Sequence, residues 1–256
     1  MDERISSRCE ANLKRYGFTV VKLPPEENLS EAVASHTDML VFRHSGTLII
    51  SRKYAKEHGE LIGTIRSLCG MNIILSDDGH EKSYPKDAIF NCLVIGNTLF
   101  GRLDSLSESV VSYAAQAGLR CVHVNQGYPA CTTLALPCGL AITSDKGMAR
   151  ALLAEGVETL VISESEKISL PPYKFGFIGG AAGILGNTVY FLGNLMAHPD
   201  GKAIENSLAA HGYACVSLDP DADSLSDLGG IFLFGNEDST TAKTGSTTSP
   251  TIPKSE

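Results

Sequence analysis

The stretch Ala151–Ile162, ALLAEGVETLVI, decides how the chain is read. It runs as the end of a helix, a glycine that stops it, and a short apolar strand. A helix ending in the left-handed conformation favours glycine just past its last turn, because glycine has no Cβ to clash there. The same unit recurs as RYGFTVVKL around Gly17, LCGMNIILS around Gly70, QAGLRCVHV around Gly118, AEGVETLVI around Gly156 and AHGYACVSL around Gly212. The glycines lie 53, 48, 38 and 56 residues apart. This is a supersecondary repeat with insertions of variable length.

Outward from each unit, apolar runs broken by turn residues predict β-hairpins. One spans 37–51 with His44-Ser45-Gly46 as its turn, and a second spans 88–101 with Gly96-Asn97. A third covers 131–143 around Pro137-Cys138-Gly139, a fourth 175–193 around Gly186-Asn187, and a fifth 227–235. Helices are expected at 5–16, 52–68, 105–117 and 200–211, and over the segment that ends at Gly156. Ser105 and Glu108 form a capping-box pattern for the third of these, and Thr143 or Ser144 is placed to cap the helix before Gly156. Each hairpin but the last is followed by a helix and a strand. The N-terminal helix and strand have no hairpin before them. If the last hairpin joins the first helix and strand, five ββαβ units close into a ring with pseudo-fivefold symmetry. Closure of that kind leaves no open sheet edge between first and last units. A doubly wound α/β sheet is the alternative, but such a fold would show one strand before each helix instead of two.

The chain has 256 residues, 43% hydrophobic and 20% charged, with a net charge of −8. That describes an ordinary globular protein. Without a basic cluster to neutralise phosphates, nucleic acid is not an expected partner. No apolar run is long enough to span a bilayer, and MDERISSRCE has no apolar core of a signal peptide. Seven cysteines without paired spacing fit a reducing cytoplasm and argue against a thiolate zinc site. Residues 1–237 are expected to form one domain, and the Ser/Thr/Pro-rich stretch 238–256 a disordered tail. No cofactor is indicated; GGAAG at 179–183 lacks the features of a phosphate loop.

On this architecture the chain resembles the pentein superfamily, the fold of guanidino-modifying enzymes such as arginine deiminase, dimethylargininase and the amidinotransferases. Three local motifs carry the resemblance. His36-Thr37-Asp38 resembles the His-x-Asp motif that holds a general base and a substrate-binding carboxylate. The segment Gly127–Thr133, GYPACTT, resembles the one that ends in the catalytic cysteine. Phe177-Ile178-Gly179-Gly180 resembles the Glu-Gly-Gly segment, with Ile178 where the family has its acid. The order is a cyclic shift of the family's own.

The resemblance implies a cysteine-dependent C–N hydrolase or amidinotransferase acting on a guanidino- or amidino-like small molecule. Cys131 would be the nucleophile, with a thiol more acidic than the ordinary value of about 8.5. His36 would be general base and later acid, and Asp38 would bind substrate or orient His36. Asp227 opens the fifth hairpin in register with His36 and Cys131 and is placed to supply the missing acid. Asn125 and Gln126 end the strand entering the cysteine loop, where their amides could bind substrate or satisfy loop backbone groups. Gly179 and Gly180 read as part of a glycine-rich strand that allows close backbone approach at the centre, where with Asp227 they would line the substrate-binding site. His123 reads as structural, and the remaining histidines, at 44, 58, 80, 198 and 211, as exposed. The alternative function is a non-catalytic binding protein on the same fold. The oligomeric state is open, with a homodimer as one option.

Overall fold

The computed structural model describes residues 1–235; the expected tail at 238–256 lies outside the described residues. Four successive ββαβ units are present, each a separate three-stranded sheet. The first has β1 (Val41–His44), β2 (Thr47–Ser51), α3 (Arg52–Glu57), α4 (Gly59–Cys69) and β3 (Asn72–Ser76), preceded by the short helix α2 (Thr37–Leu40). The second has β4 (Leu93–Ile95), β5 (Thr98–Gly101), α5 (Glu108–Gln116) and β6 (Arg120–His123). In the third, the short helix α6 (Pro129–Thr132) leads into β7 (Thr133–Ala135), β8 (Leu140–Thr143), α7 (Lys146–Ala154) and β9 (Glu158–Val161). The fourth has β11 (Ala182–Leu185), β12 (Thr188–Phe191), α8 (Gly201–Ala210) and β13 (Ala214–Ser217). Helix α1 (Ser7–Arg15) stands ahead of them. A two-stranded parallel pair, β10 (Ile168–Ser169) with β14 (Leu225–Ser226), links the loops around the fourth unit.

One register repeats through all four units. The second hairpin strand opens opposite the residue two beyond the helix-stopping glycine: Thr47 pairs with Asn72, Thr98 with Arg120, Leu140 with Glu158 and Thr188 with Ala214. The five glycines have φ between +63° and +88°, the left-handed region that the repeat required. The second strand is the middle one of each sheet, and in the first and third units it is buried along its whole length. That explains the continuous apolar runs TLII and LAI.

Local details depart from the sequence reading for identifiable reasons. The helix expected over 52–68 is two helices, broken at His58, where Gly59 weakens helical continuity and the His58 ring packs on Tyr54. Helix α5 is capped by Ser107, whose hydroxyl accepts from Ser109 N; Ser105 turns back to donate to Arg102 O. Helix α7 is capped by Asp145, which accepts from Met148 N at 2.7 Å, while the Thr143 hydroxyl donates to Thr132 O and so ties β8 to the cysteine helix. His80 and His198 are buried, not exposed.

The fifth hairpin is not formed as a sheet. Among the described residues neither 18–23 nor 231–235 is a strand. Gly229 and Gly230, at φ +66° and +76°, bend the chain sharply, and Ile231 N then donates to Ala182 O. The two segments do share a core. Ile231 and Leu233 pack with Ile5, Cys9 and Leu13, with Phe18 and Val20 against them. A central cavity of about 260 Å³ is lined by β1, β4, β7 and β11, one first strand from each unit, and by Ile231 and Phe232. The structure is therefore mixed α/β with small separate sheets, and among the described residues no single doubly wound sheet is present.

Candidate active site

In the first, third and fourth units the segment that leads into the hairpin is a short turn of helix, and the three meet at one end of the central cavity. Helix α2 carries Asp38 and has His36 as its N-cap; α6 carries Cys131 behind Pro129 at its first turn, where a missing N–H costs nothing. The segment Gly179–Ala181 is a turn of 3-10 helix and not the strand expected of it. Its tightness follows from its neighbours. A Cβ on Gly179 would lie 2.2 Å from Ala130 O, and one on Gly180 would lie 1.9 Å from Asp227 Oδ1. Gly229 has the same role on the opposite side, where a Cβ would come within 2.5 Å of His36 Cβ.

The Cys131 thiol donates to Asp38 Oδ2 at 2.7 Å. Donor atoms of His36, Asp38 and Cys131 all lie within 4.8 Å of one another. Asp227 Oδ1 stands 3.9 Å from His36 Nδ1, and its two oxygens accept from Phe177 N at 2.8 Å and Gly229 N at 3.2 Å. On the other side of the imidazole, Asp2 Oδ2 lies 3.9 Å from Nε2. Arg4 grips Asp2 through Nε and both of its carboxylate oxygens. His36 and Asp2 are fully buried, and Asp38, Cys131 and Asp227 are each 5% exposed or less. Among the described residues neither ring nitrogen of His36 has a hydrogen-bond partner, and neither does Asp38 Oδ1. Buried polar atoms without partners are rare enough that each demands a reason.

Burial sets the protonation states. It pushes His36 down to about 4, so the imidazole is neutral. It pushes Asp38 up to about 6 and Asp227 up to about 7, the latter also through the Asp38 charge. The Cys131 thiol is pushed well above its ordinary value, first by burial and then by Asp38 and Asp227. The direction is opposite to the acidic thiol expected of a nucleophile. After burial, the carboxylates expected at this site are themselves the reason, since like charges disfavour ionisation. Each of the three offers one ligand atom, and together they are close enough to hold a metal ion with three protein ligands.

His36, Asp38, Cys131 and Asp227 are thus brought together, with the Gly179 and Gly180 backbone packed beneath them. Asn125 and Gln126 are not. Asn125 is exposed, and Gln126 donates to Asp145 while accepting from Tyr128 N, so its amide is spent on the loop's own backbone and the α7 cap. Two residues were missed. Asn91 is fully buried, accepts from Ala130 N at 2.9 Å and points its amide N–H toward the Cys131 sulfur at 3.7 Å. It opens the second hairpin as the other site residues open theirs, and that positional rule would have found it. Asp2 had no such signal.

A family model, described as a family of unknown function (DUF6873), matches residues 1–232. The chain belongs to that DUF6873 family. No curated protein matches the sequence. Among solved structures, a dimethylarginine dimethylaminohydrolase adduct with S-methyl-L-thiocitrulline is 12% identical, covers 83% of this chain and 80% of its own, and superposes with a TM-score of 0.50. The dimethylarginine dimethylaminohydrolase of Pseudomonas aeruginosa complexed with citrulline gives 13% identity, coverage of 85% and 84%, and a TM-score of 0.48. The inosamine-phosphate amidinotransferase of Streptomyces griseus gives 15%, 86% and 74%, and 0.47. The chain is similar in fold to the first of these, the dimethylarginine dimethylaminohydrolase adduct. Among the described residues no helix is long and apolar enough to cross a membrane.

Proposed function

We propose that the chain is a cysteine-dependent C–N hydrolase or amidinotransferase for a small molecule bearing a guanidinium or amidinium group. One observation carries this reading. Asp38 and Asp227 are buried in the same site, with the Asp38 charge acting on Asp227, without an ion pair to Lys or Arg among the described residues, next to a nucleophile and to a base with both nitrogens unpartnered. Buried carboxylates with no cation of their own are suited to a cationic guest. A planar cation would meet Asp38 Oδ1 and Asp227 with its N–H groups and replace the missing hydrogen bonds.

The same cation would reverse the thiol's resistance to ionisation. With positive charge beside Asp38 and Asp227, the thiolate is favoured and its proton passes to His36. The sulfur then bonds to the central carbon, and the imidazolium gives that proton to the departing amine. In hydrolysis, water attacks the carbon, His36 takes its proton and the C–S bond breaks to restore the thiol. In amidine transfer an acceptor amine takes the water's place. Asp227 takes the role that the family's Glu has beside Gly-Gly, since it packs directly on Gly180 while Ile178 faces the apolar core. In this reading the central cavity is the axis of a five-unit ring, with Ile231–Leu233 and the N-terminal segment as the fifth unit.

A second reading, a pentein that binds a cation without turning it over, is favoured by Ile178 and by the raised thiol. Ammonia or urea release from a panel of guanidino and amidino compounds, compared between wild type and Cys131→Ser, tests the choice. Release that Cys131→Ser abolishes supports the enzyme. Calorimetric binding with no release in either protein supports the binding protein.

A further inference from the structure

The N-terminal segment contributes a carboxylate to this site that no motif accounts for. Asp2 is fully buried and far in sequence from every other site residue, yet Oδ2 sits 3.9 Å from His36 Nε2. Several bonds hold it there. Arg4 N and Nε donate to Asp2 Oδ1 at 2.8 and 3.0 Å, and Arg4 Nη2 donates to Oδ2 at 2.5 Å. The guanidinium is anchored in turn on the carbonyls of Glu31 and Ala32, in the loop that leads to His36. Next to Asp2, Leu23 N donates to Met1 O at 2.8 Å, pinning the segment to the stretch 19–23. So His36 stands between two carboxylates, Asp2 on Nε2 and Asp227 on Nδ1, and only Asp2 has its own cation.

We propose that Asp2 is the positioning carboxylate that stabilises the His36 imidazolium, and that Arg4 sets how strongly it does so. The inference rests on the reading above that Cys131 passes its proton to His36. The remaining groups facing the imidazole are Asp227, Asp38 and the Cys131 thiol, all on other elements. In the resting site burial keeps the imidazole neutral, Arg4 offsets part of the Asp2 charge, and the thiol keeps its proton on the Asp38 side. When His36 takes the proton, Asp2 is the nearest full negative charge to Nε2 and stabilises the ion pair formed. The directions agree: Asp2 raises the imidazole's proton affinity and Arg4 lowers it.

Charge and architecture can be separated by experiment. Asp2→Asn and Arg4→Met break the same ion pair. If the pair only holds the fold together, both changes act alike on His36. If it acts through the field at the imidazole, they act in opposite directions. The readout is the titration of the His36 ring, followed by 15N NMR of histidine-labelled protein from pH 3 to 8. For charges about 4 Å apart in a protein interior, the expected shift of its midpoint is on the order of one pH unit: down in Asp2→Asn and up in Arg4→Met. Arg4→Lys keeps the cation and should return the midpoint to that of wild type. Midpoints that move together, or do not move, overturn the proposal. Should Asp2→Asn not fold, Arg4→Met with Arg4→Lys still decides: a midpoint that falls or stays put in Arg4→Met overturns it. The readout needs neither alkylation nor a guanidino compound, so the result stands whether or not Cys131 proves to be the nucleophile.

Discussion

Replacing Asp227 by asparagine should invert its effect on stability between pH 4 and pH 8. In the folded protein Asp227 keeps its proton up to about pH 7, against an ordinary value of 3.8. Between those values the folded state holds a proton that the unfolded state has released, so stability falls as pH rises through the window. Three pH units at 1.36 kcal/mol each amount to about 4 kcal/mol lost by pH 8. The Asp227→Asn side chain never ionises and escapes that loss. It has a cost of its own: both Asp227 oxygens accept backbone N–H groups, from Phe177 and Gly229, and an amide offers one oxygen. Leaving one buried N–H unpaired costs about 1–3 kcal/mol at any pH. The variant should therefore be about 1–3 kcal/mol less stable than wild type at pH 4 and more stable by a similar amount at pH 8. The Asp38 charge that helps raise Asp227 is part of the difference measured, because the two carboxylates titrate as a coupled pair. Urea unfolding at one-unit intervals measures it. A difference between the proteins that does not change with pH would show that Asp227 is ionised throughout, and the charge argument for the site would fail with it.

Gly180→Ala should cost about 3 kcal/mol or more, because its Cβ would fall 1.9 Å from Asp227 Oδ1. Gly156→Ala has open space and only its φ of +75° to bear, so about 1–2 kcal/mol is expected by thermal unfolding. Asn91→Ala leaves Ala130 N unpaired beneath the cysteine helix, and a loss of about 1–3 kcal/mol should accompany broadened Cys131 signals in NMR spectra. Asp38→Asn removes the charge and the acceptor that hold the Cys131 thiol protonated. Its alkylation by neutral iodoacetamide at pH 7 should therefore quicken, while that by a cationic haloacetamidine should slow. A change in the same direction for both reagents would deny Asp38 its part in cation binding.

Most of the architecture was legible because its determinants are local. A helix stopped by glycine and followed by a β-branched run is visible in any ten-residue window, and Gly17, Gly70, Gly118, Gly156 and Gly212 all take the left-handed conformation. The turns Ser45-Gly46, Gly96-Asn97 and Gly186-Asn187 carry their own chemistry in the same way. Caps were less legible, since Ser105 and Ser107, or Ser144 and Asp145, compete within a few residues and tertiary contacts decide between them. The fifth hairpin was misread because Gly229 and Gly230 look like a permissive start to a strand, when they are a bend forced by His36 and Asp38. His36, Asp38 and Cys131 could be picked out by motif. What no local pattern could provide was the company they keep. Asp2 and Arg4 reach the site only through the fold, and the raised thiol follows from burial and from carboxylates distant in sequence. Asn125 and Gln126 illustrate the converse, since amides near the cysteine in sequence are consumed by the loop itself.

The proposed chemistry stands on Cys131 becoming a nucleophile when a cation occupies the buried acidic site. Incubating the native protein at pH 7 with a haloacetamidine and, in parallel, with iodoacetamide, then mapping the modified peptides, tests it directly. The amidine should modify Cys131 alone and faster than iodoacetamide does, His36→Ala should slow this, and iodoacetamide should go first to the exposed Cys121 and Cys138. Modification of Cys121 and Cys138 by both reagents, with Cys131 untouched or indifferent to charge, would show that no cation activates the thiol.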